Sequence, residues 1–312
     1  MRVAVLDDIH DAFDRTEAVA QLRRRAEVRV FTNSFGDPSA LAGFDALIAN
    51  RERTRFTRAL LEQLPDLKII SQTGNHAHHV DFDAARDLRI VVARASGGYS
   101  IGTAELTIGL ALAVTRRIPE VDRAIKSGEW PTPMTPVLHG KTMGIVGLGR
   151  LGRHVAGLAG AFGMRVIAWS PTLTEEVARK SGASYMELDD LMRTADVVSI
   201  HVSLKPETRN LIDARRLALM KPTAYLINTA RGAILNEAAL VAALEEGRIA
   251  GAGLDVFDEE PLPAGHPLTR LPKVVLTPHT GWPTDHGYEQ FAKSAVDVLL
   301  DFMDGREVPL FR

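Results

Sequence analysis

The chain has 312 residues, a formal net charge of −2 and no cysteine. Such a length accommodates two domains at ~150 residues each, and the near-neutral balance gives no electrostatic footprint for nucleic acid. Without thiols, disulfides, thiolate metal sites and a cysteine nucleophile are excluded, which fits a reducing cytoplasm.

The first eight residues read as a strand ending in acids and not as an export leader, so a cytoplasmic protein is expected. Short β-branched runs then alternate with helical patterns along the whole chain, the mark of parallel βαβ units and an α/β fold. A first series of strands is predicted at 3–6, 28–31, 46–49, 68–72 and 90–93. A second is predicted at 142–146, 166–169, 197–202, 224–228, 253–256 and 274–277. Between them, residues 100–127 form one long helical pattern closed by Gly128, read as a single connecting helix. Its apolar run, 106–114, is far shorter than the ~20 residues of a membrane span; it suits either a dimer interface or core burial. The last helix is predicted from the N-cap Thr284 to Asp304, with Phe291, Ala295, Val298, Leu299 and Phe302 in one apolar stripe. That stripe needs a sheet to cover, and the first series supplies one. The expected organisation is a substrate domain from residues 1–98 and 284–312, a dinucleotide-binding domain from 99–283, and a cleft between them.

The first strand of the second series, 142–146, is followed by Gly147-Leu148-Gly149-Arg150-Leu151-Gly152. Gly147 permits the tight turn, Gly149 lets backbone N–H groups reach a pyrophosphate, and Gly152 lets helix and strand pack closely. The helix N-terminus favours the anion. Where an acid would hold the adenosine ribose, the second strand ends in Ser170, which can bond a hydroxyl and does not repel a 2′-phosphate. Both NAD and NADP therefore fit.

Three residues beyond the turn carry chemistry. Arg231 follows the 224–228 strand, Glu260 follows 253–256 and His279 follows 274–277, all at the carboxyl ends where open α/β sheets place ligands. A guanidinium grips a carboxylate bidentately. An imidazole exchanges a proton near neutral pH, and a carboxylate orients it.

With Thr73-Gly74-Asn75-His76, Gly102-Thr103-Ala104-Glu105, the glycine turn, residues 201–208, 228–232 and 251–261, and Pro278-His279-Thr280-Gly281 in order, the chain resembles the D-isomer-specific 2-hydroxyacid dehydrogenases over nearly its full length. The resemblance implies a Rossmann dinucleotide-binding domain inserted in a flavodoxin-like substrate domain built from both chain ends. The implied reaction passes a hydride between NAD(P)H and a 2-oxo acid to give a D-2-hydroxy acid. Arg231 would bind the substrate, His279 would be the acid/base, and Glu260 would pair with it and favour the imidazolium. Backbone N–H groups around Asn75 and His76 would cradle the substrate carboxylate. Thr103, Gly147, Gly149, Arg150, Leu151, Gly152, Ser170, His201, Val202, Thr229, Ala230, Asp255, His279 and Gly281 would line the cofactor, with Asp255 at the nicotinamide carboxamide. A homodimer is implied as well. Two residues depart from the family pattern: Ser170 stands where NAD-preferring relatives carry aspartate, and His76 where many have glycine.

His76, His78 and His79 lie close enough to suggest a metal, yet no metal is expected, because they fall in a loop that needs none. Arg51 and Arg53 follow the 46–49 strand and read either as sensors of a second substrate charge or as solvated arginines. A dinucleotide-sensing corepressor-like module and a phosphite-type dehydrogenase are the competing functions.

Overall fold

The computed structural model describes residues 1–33, 37–74, 77–97 and 101–311. The chain divides into two compact units, Met1–Tyr99 with Pro283–Arg312, and Ser100–Trp282. Asn75 and His76 lie outside the described residues.

The first unit holds five strands, β1 (Arg2–Val5), β2 (Glu27–Val30), β3 (Ala46–Ala49), β4 (Ile69–Thr73) and β5 (Val91–Ala95), in the order β2-β1-β3-β4-β5. All pair in parallel. β3 and β4 are buried at every position, as a parallel sheet covered on both faces requires. The helix Asp285–Met303 belongs here. Its N-cap Thr284 accepts the Gly287 N–H at 3.0 Å, its Phe291, Ala295, Val298 and Leu299 are buried, and the Ser71 hydroxyl of β4 donates to the Ala295 carbonyl at 3.0 Å.

The second unit holds β6 (Thr142–Val146), β7 (Arg165–Trp169), β8 (Ser184–Tyr185), β9 (Val197–Ile200), β10 (Tyr225–Asn228), β11 (Gly251–Leu254) and β12 (Val274–Leu276), in the order β12-β11-β10-β9-β6-β7-β8. β6 pairs with β7 on one side and β9 on the other. The strand order therefore reverses at β6, the point where open α/β sheets bind ligands. Register places the carboxyl ends in a row: Val146 lies opposite Trp169 and Ile200, Asn228 opposite Ile200 and Leu254, and Leu254 opposite Leu276. Residues that follow these strands share one edge of the sheet.

One expectation changes. The 100–127 pattern is two helices, Ile101–Thr115 and Ile118–Lys126, because Arg117 adopts a left-handed conformation (φ 55°) and Pro119 occupies the first turn of the second. Proline has no N–H to continue the ladder. Of the two readings of the 106–114 run, core burial accounts for Ile108, Leu110, Ala111 and Val114, which are buried where the helix packs on β10, β11 and neighbouring helices. The fit depends on Gly253 of β11, where a Cβ would stand 2.9 Å from that of Leu110. The two-residue edge strand β8 matches none of the strands predicted from the sequence.

Candidate active site

The site is assembled by loops that leave β10, β11 and β12. Beyond β12, the chain turns through His279 with a left-handed backbone (φ 55°), a conformation a non-glycine residue keeps only where its surroundings fix it. Asp255, directly after β11 and only 1% exposed, does the fixing. Its carboxylate accepts the N–H groups of Thr280 at 2.8 Å and Gly281 at 3.0 Å, together with the Thr277 hydroxyl. Its carbonyl accepts the His279 N–H at 2.8 Å.

Held in this turn, His279 places Nδ1 2.8 Å from Oε2 of Glu260. The other carboxylate oxygen, Oε1, accepts the Phe257 N–H at 3.0 Å. A carboxylate can only accept, so Nδ1 carries the proton and Nε2 is left as the nitrogen that exchanges protons with a ligand. The two side chains are 35% and 37% exposed, open enough for a small molecule to reach the ring.

Arg231 is held by Asn228, the buried last residue of β10. The Asn228 side chain accepts the Ala230 N–H and donates to the Arg231 carbonyl, each at 3.0 Å. Arg231 Nη1 donates to the Ala230 carbonyl at 2.6 Å. The next residue must be glycine, since a Cβ on Gly232 would stand 2.0 Å from the Phe257 carbonyl. That contact joins the loop carrying Arg231 to the loop carrying Glu260.

The residues expected to line a dinucleotide also fall along this edge. A Cβ on Gly147 (φ 110°) would lie 2.4 Å from the Val202 N, and one on Gly152 would lie 2.1 Å from the Gly147 carbonyl. Gly149 has nothing within 4 Å of the same position. It caps the helix Arg150–Ala161 without a side-chain hydrogen bond, so the first-turn N–H groups at Arg150, Leu151 and Gly152 remain available for an anion. Ser170, after β7, accepts the Leu148 N–H at 2.7 Å and so fixes the turn itself.

After β9, the Nε2 of His201 lies 2.7 Å from the Ser199 hydroxyl, while Nδ1 is buried without a partner among the described residues. Burial pushes this imidazole down to about 3, so it is neutral at ordinary pH. Beside it, Val202 is buried. Thr229 and Ala230 follow β10, with the Thr229 hydroxyl 2.9 Å from that of Thr107; Thr103 donates to the Gly281 carbonyl at 2.8 Å. An open glycine before a helix N-terminus and an orphaned buried nitrogen on the neighbouring strand suit a dinucleotide.

The roles of Asn228, Thr107, Thr277 and the Phe257 N–H do not emerge from sequence patterns alone. Asn228 carries a signal, an Asx residue ending a strand just before the site. The Phe257 backbone carries none.

In the first unit, Arg53 Nη1 donates to the Asp7 carbonyl at 2.7 Å, and the Arg51 guanidinium lies 5.6 Å from the Phe291 ring centre. His79 is 3.0 Å from Gln72 Oε1. Because the Gln72 amide nitrogen donates to the Arg51 and Thr73 carbonyls, His79 Nε2 is the donor in that pair.

Residues 108–281 match the family model described as D-isomer specific 2-hydroxyacid dehydrogenase, NAD binding domain. The chain is 44% identical over 259 residues to the glyoxylate reductase of Aeropyrum pernix, covering 80% of this chain and 77% of that one. It is 38% identical over 306 residues to the D-3-phosphoglycerate dehydrogenase of Methanocaldococcus jannaschii, covering 96% of this chain but only 56% of the longer relative. Among solved structures, the phosphoglycerate oxidoreductase of Vibrio cholerae superposes with a TM-score of 0.84 at 31% identity, covering 98% of this chain and 99% of that one. The chain belongs to the D-isomer-specific 2-hydroxyacid dehydrogenase family. It is an oxidoreductase of hydroxy-acid CH–OH groups with a Rossmann domain for NAD or NADP, and the family reaction reduces 2-oxo acids to D-2-hydroxy acids.

Proposed function

We propose that Arg231, Glu260 and His279 carry out this reduction. The observation that carries the reading is the 2.8 Å contact from His279 Nδ1 to a Glu260 carboxylate that is itself held by a backbone N–H. The bound dinucleotide supplies the hydride. Protonated His279 gives the Nε2 proton to the oxygen that becomes the hydroxyl, and Glu260 stabilises the imidazolium beforehand. Arg231 binds the substrate carboxylate and the keto oxygen, where negative charge grows. Gly149 and the N–H groups of Arg150, Leu151 and Gly152 hold the pyrophosphate. Thr103, Ser170, His201, Val202, Thr229, Ala230, Asp255 and Gly281 complete the cofactor set, and the backbone at Asn75 and His76 contributes to the substrate carboxylate.

We assign residues 1–98 and 284–312 to substrate binding and 99–283 to the dinucleotide. The glyoxylate reductase relative makes glyoxylate the first acid to try. The test is NADH and NADPH oxidation with a panel of 2-oxo acids, followed with His279→Ala and Arg231→Ala. Both variants lose most turnover and keep cofactor binding; turnover within a few-fold of wild type refutes the assignment.

We also infer a homodimer in the cytoplasm. Support for the dimer comes from the segment beyond Arg117, where Ile118, Ile125, Trp130, Met134 and Val137 are all exposed, Met134 completely, and the helix Ile118–Lys126 has no buried residue. Large apolar side chains left exposed together in one segment suit an interaction site. Trp130→Asp yields monomers on size-exclusion chromatography with light scattering; an unchanged mass, or a wild-type monomer, removes the inference. No helix among the described residues is long and apolar enough to cross a membrane, and cell fractionation tests the compartment.

A further inference from the structure

Glu260 sits in the loop that joins β11 to β12, and little apolar burial holds that loop: residues 258–261 and 263–265 are exposed, and between them Leu262 is part-buried against the core. One peptide unit anchors it instead. The unit between Phe257 and Asp258 presses its carbonyl against Gly232, where a Cβ would stand 2.0 Å from the oxygen, and gives its N–H to Glu237 Oε2 at 3.3 Å. The preceding N–H, that of Phe257, is the one that donates to the Glu260 carboxylate at 3.0 Å.

Glu237 opens the helix Glu237–Glu245, directly after the N-cap Asn236, and its side chain is only 14% exposed. Its other carboxylate oxygen, Oε1, lies 3.2 Å from His266 Nε2. His266 Nδ1 in turn accepts the Leu268 N–H at 3.3 Å, capping the short helix Pro267–Arg270. With Nδ1 accepting, Nε2 carries the proton and donates to Glu237. One carboxylate therefore ties both ends of the Glu260 loop, at Asp258 and at His266, to the helix that follows the Arg231 segment. An acid in a first helical turn also stabilises the helix N-terminus, but that role needs neither Asp258 nor His266.

We propose, resting on the reading of Glu260 and His279 as the proton-transfer pair, that Glu237 braced by His266 is a positioning residue, which fixes this loop so that the Glu260 carboxylate meets His279 Nδ1. Glu260 and the Phe257 N–H are neighbours in one loop and can move together, whereas the His279 turn is held separately by Asp255. Loss of the brace therefore costs the alignment of the two loops. Arg231 keeps its own tie to Asn228, so the effect falls on kcat more than on KM.

The test is a double-mutant cycle on the full chain, read as steady-state reduction of whichever 2-oxo acid of the panel the wild type reduces fastest, with the better of NADH and NADPH. Glu237→Gln leaves one of the two donors without an acceptor. It lowers kcat about tenfold, within the cost of misplacing a group by ~1 Å, while KM changes by less than about threefold. His266→Ala removes one of the two donors and lowers kcat in the same direction. In a Glu260→Gln background neither change lowers kcat further, since no carboxylate is left to position. Equal losses in both backgrounds would mark a merely structural brace and overturn the proposal. So would a kcat within about twofold of wild type in both single variants; with Glu260→Gln slow, that outcome leaves the reading of Glu260 and His279 standing. Glu260→Gln at the wild-type rate removes that reading and the brace with it.

Discussion

The two edges of the seven-stranded sheet are finished in opposite ways. At the carboxyl edge, polar groups are tied to one another: Asp255 to the 277–281 turn, Glu260 to Phe257 and His279, Asn228 to both ends of the Arg231 loop, and Ser170 to the glycine turn. At the amino edge, Asp196 is paired while Lys141, Lys273 and the Tyr225 hydroxyl are left open around a cavity. Chemistry needs groups already in place before the reactants arrive, because reorganisation during the reaction raises the barrier. Simple binding tolerates side chains that order only when a ligand arrives. On this view the tied edge is the one suited to chemistry.

Several measurements sharpen or break that contrast. The largest effect falls on His279→Ala, expected to lower kcat by ~10²–10⁴-fold, the usual contribution of a positioned acid/base, with NADH binding unchanged by fluorescence titration. A loss below tenfold would remove His279 from the reaction. Next is Asp255→Ala. It leaves the N–H groups of Thr280 and Gly281 without acceptors, the buried Gly281 one at ~1–3 kcal/mol, and should depress both the urea midpoint and kcat; a stable variant that is merely slow would show that the turn is fixed elsewhere. Gly232→Ala forces a methyl group against the Phe257 carbonyl. It should cost ~1–3 kcal/mol of stability while lowering kcat, since it parts the loops of Arg231 and Glu260.

His201 gives a pH signature. Its folded value near 3 lies below the ordinary ~6.5 of an unfolded histidine, so under acid conditions the unfolded chain binds the proton first. The stability tied to its neutral form is complete above pH ~6.5 and falls by ~1.4 kcal/mol per pH unit as pH drops from there toward 3. His201→Gln should flatten that part of the urea-stability profile; an unchanged slope would show that His201 is protonated in the fold. The smallest effect belongs to the amino edge. Lys141→Gln should leave stability within ~0.5 kcal/mol of wild type, because no hydrogen bond or ion pair among the described residues relies on its side chain; a larger loss would mean that this edge is tied down like the other.

Most of the sheet was legible because parallel strands are buried on both faces and so appear as short β-branched runs; β3, β6 and the 285–303 helix fall within a residue or so of expectation. β8 escaped because two paired residues leave no periodicity. The break at Arg117 escaped because the apolar pattern continues through it, and a left-handed residue that is neither glycine nor asparagine gives no compositional warning. The run at 106–114 could not reveal its burial, since a helix covered by a sheet and one covered by a partner have the same composition. At the site, the order of Arg231, Glu260 and His279 after successive strands was readable, and so was the glycine turn. What tightens them was not, because the work falls to backbone groups at Phe257, Thr280 and Gly281 and to the carboxylate of Asp255, whose hold on the turn is additional to the cofactor contact that the family resemblance implies. The amino-edge cavity gave no signal at all: its lysines stand more than a hundred positions apart and share one edge only because the sheet aligns the residue before each strand.

The contact at Gly232 has a consequence for anyone redesigning the enzyme. With no gap between its Cα and the Phe257 carbonyl, the two loops behave as one mechanical part: a shift in either drags the other. Attempts to change which acid is accepted by lengthening or reshaping one of them would therefore disturb Glu260 and His279 along with Arg231. Changes aimed at specificity belong on segments that do not share this pin.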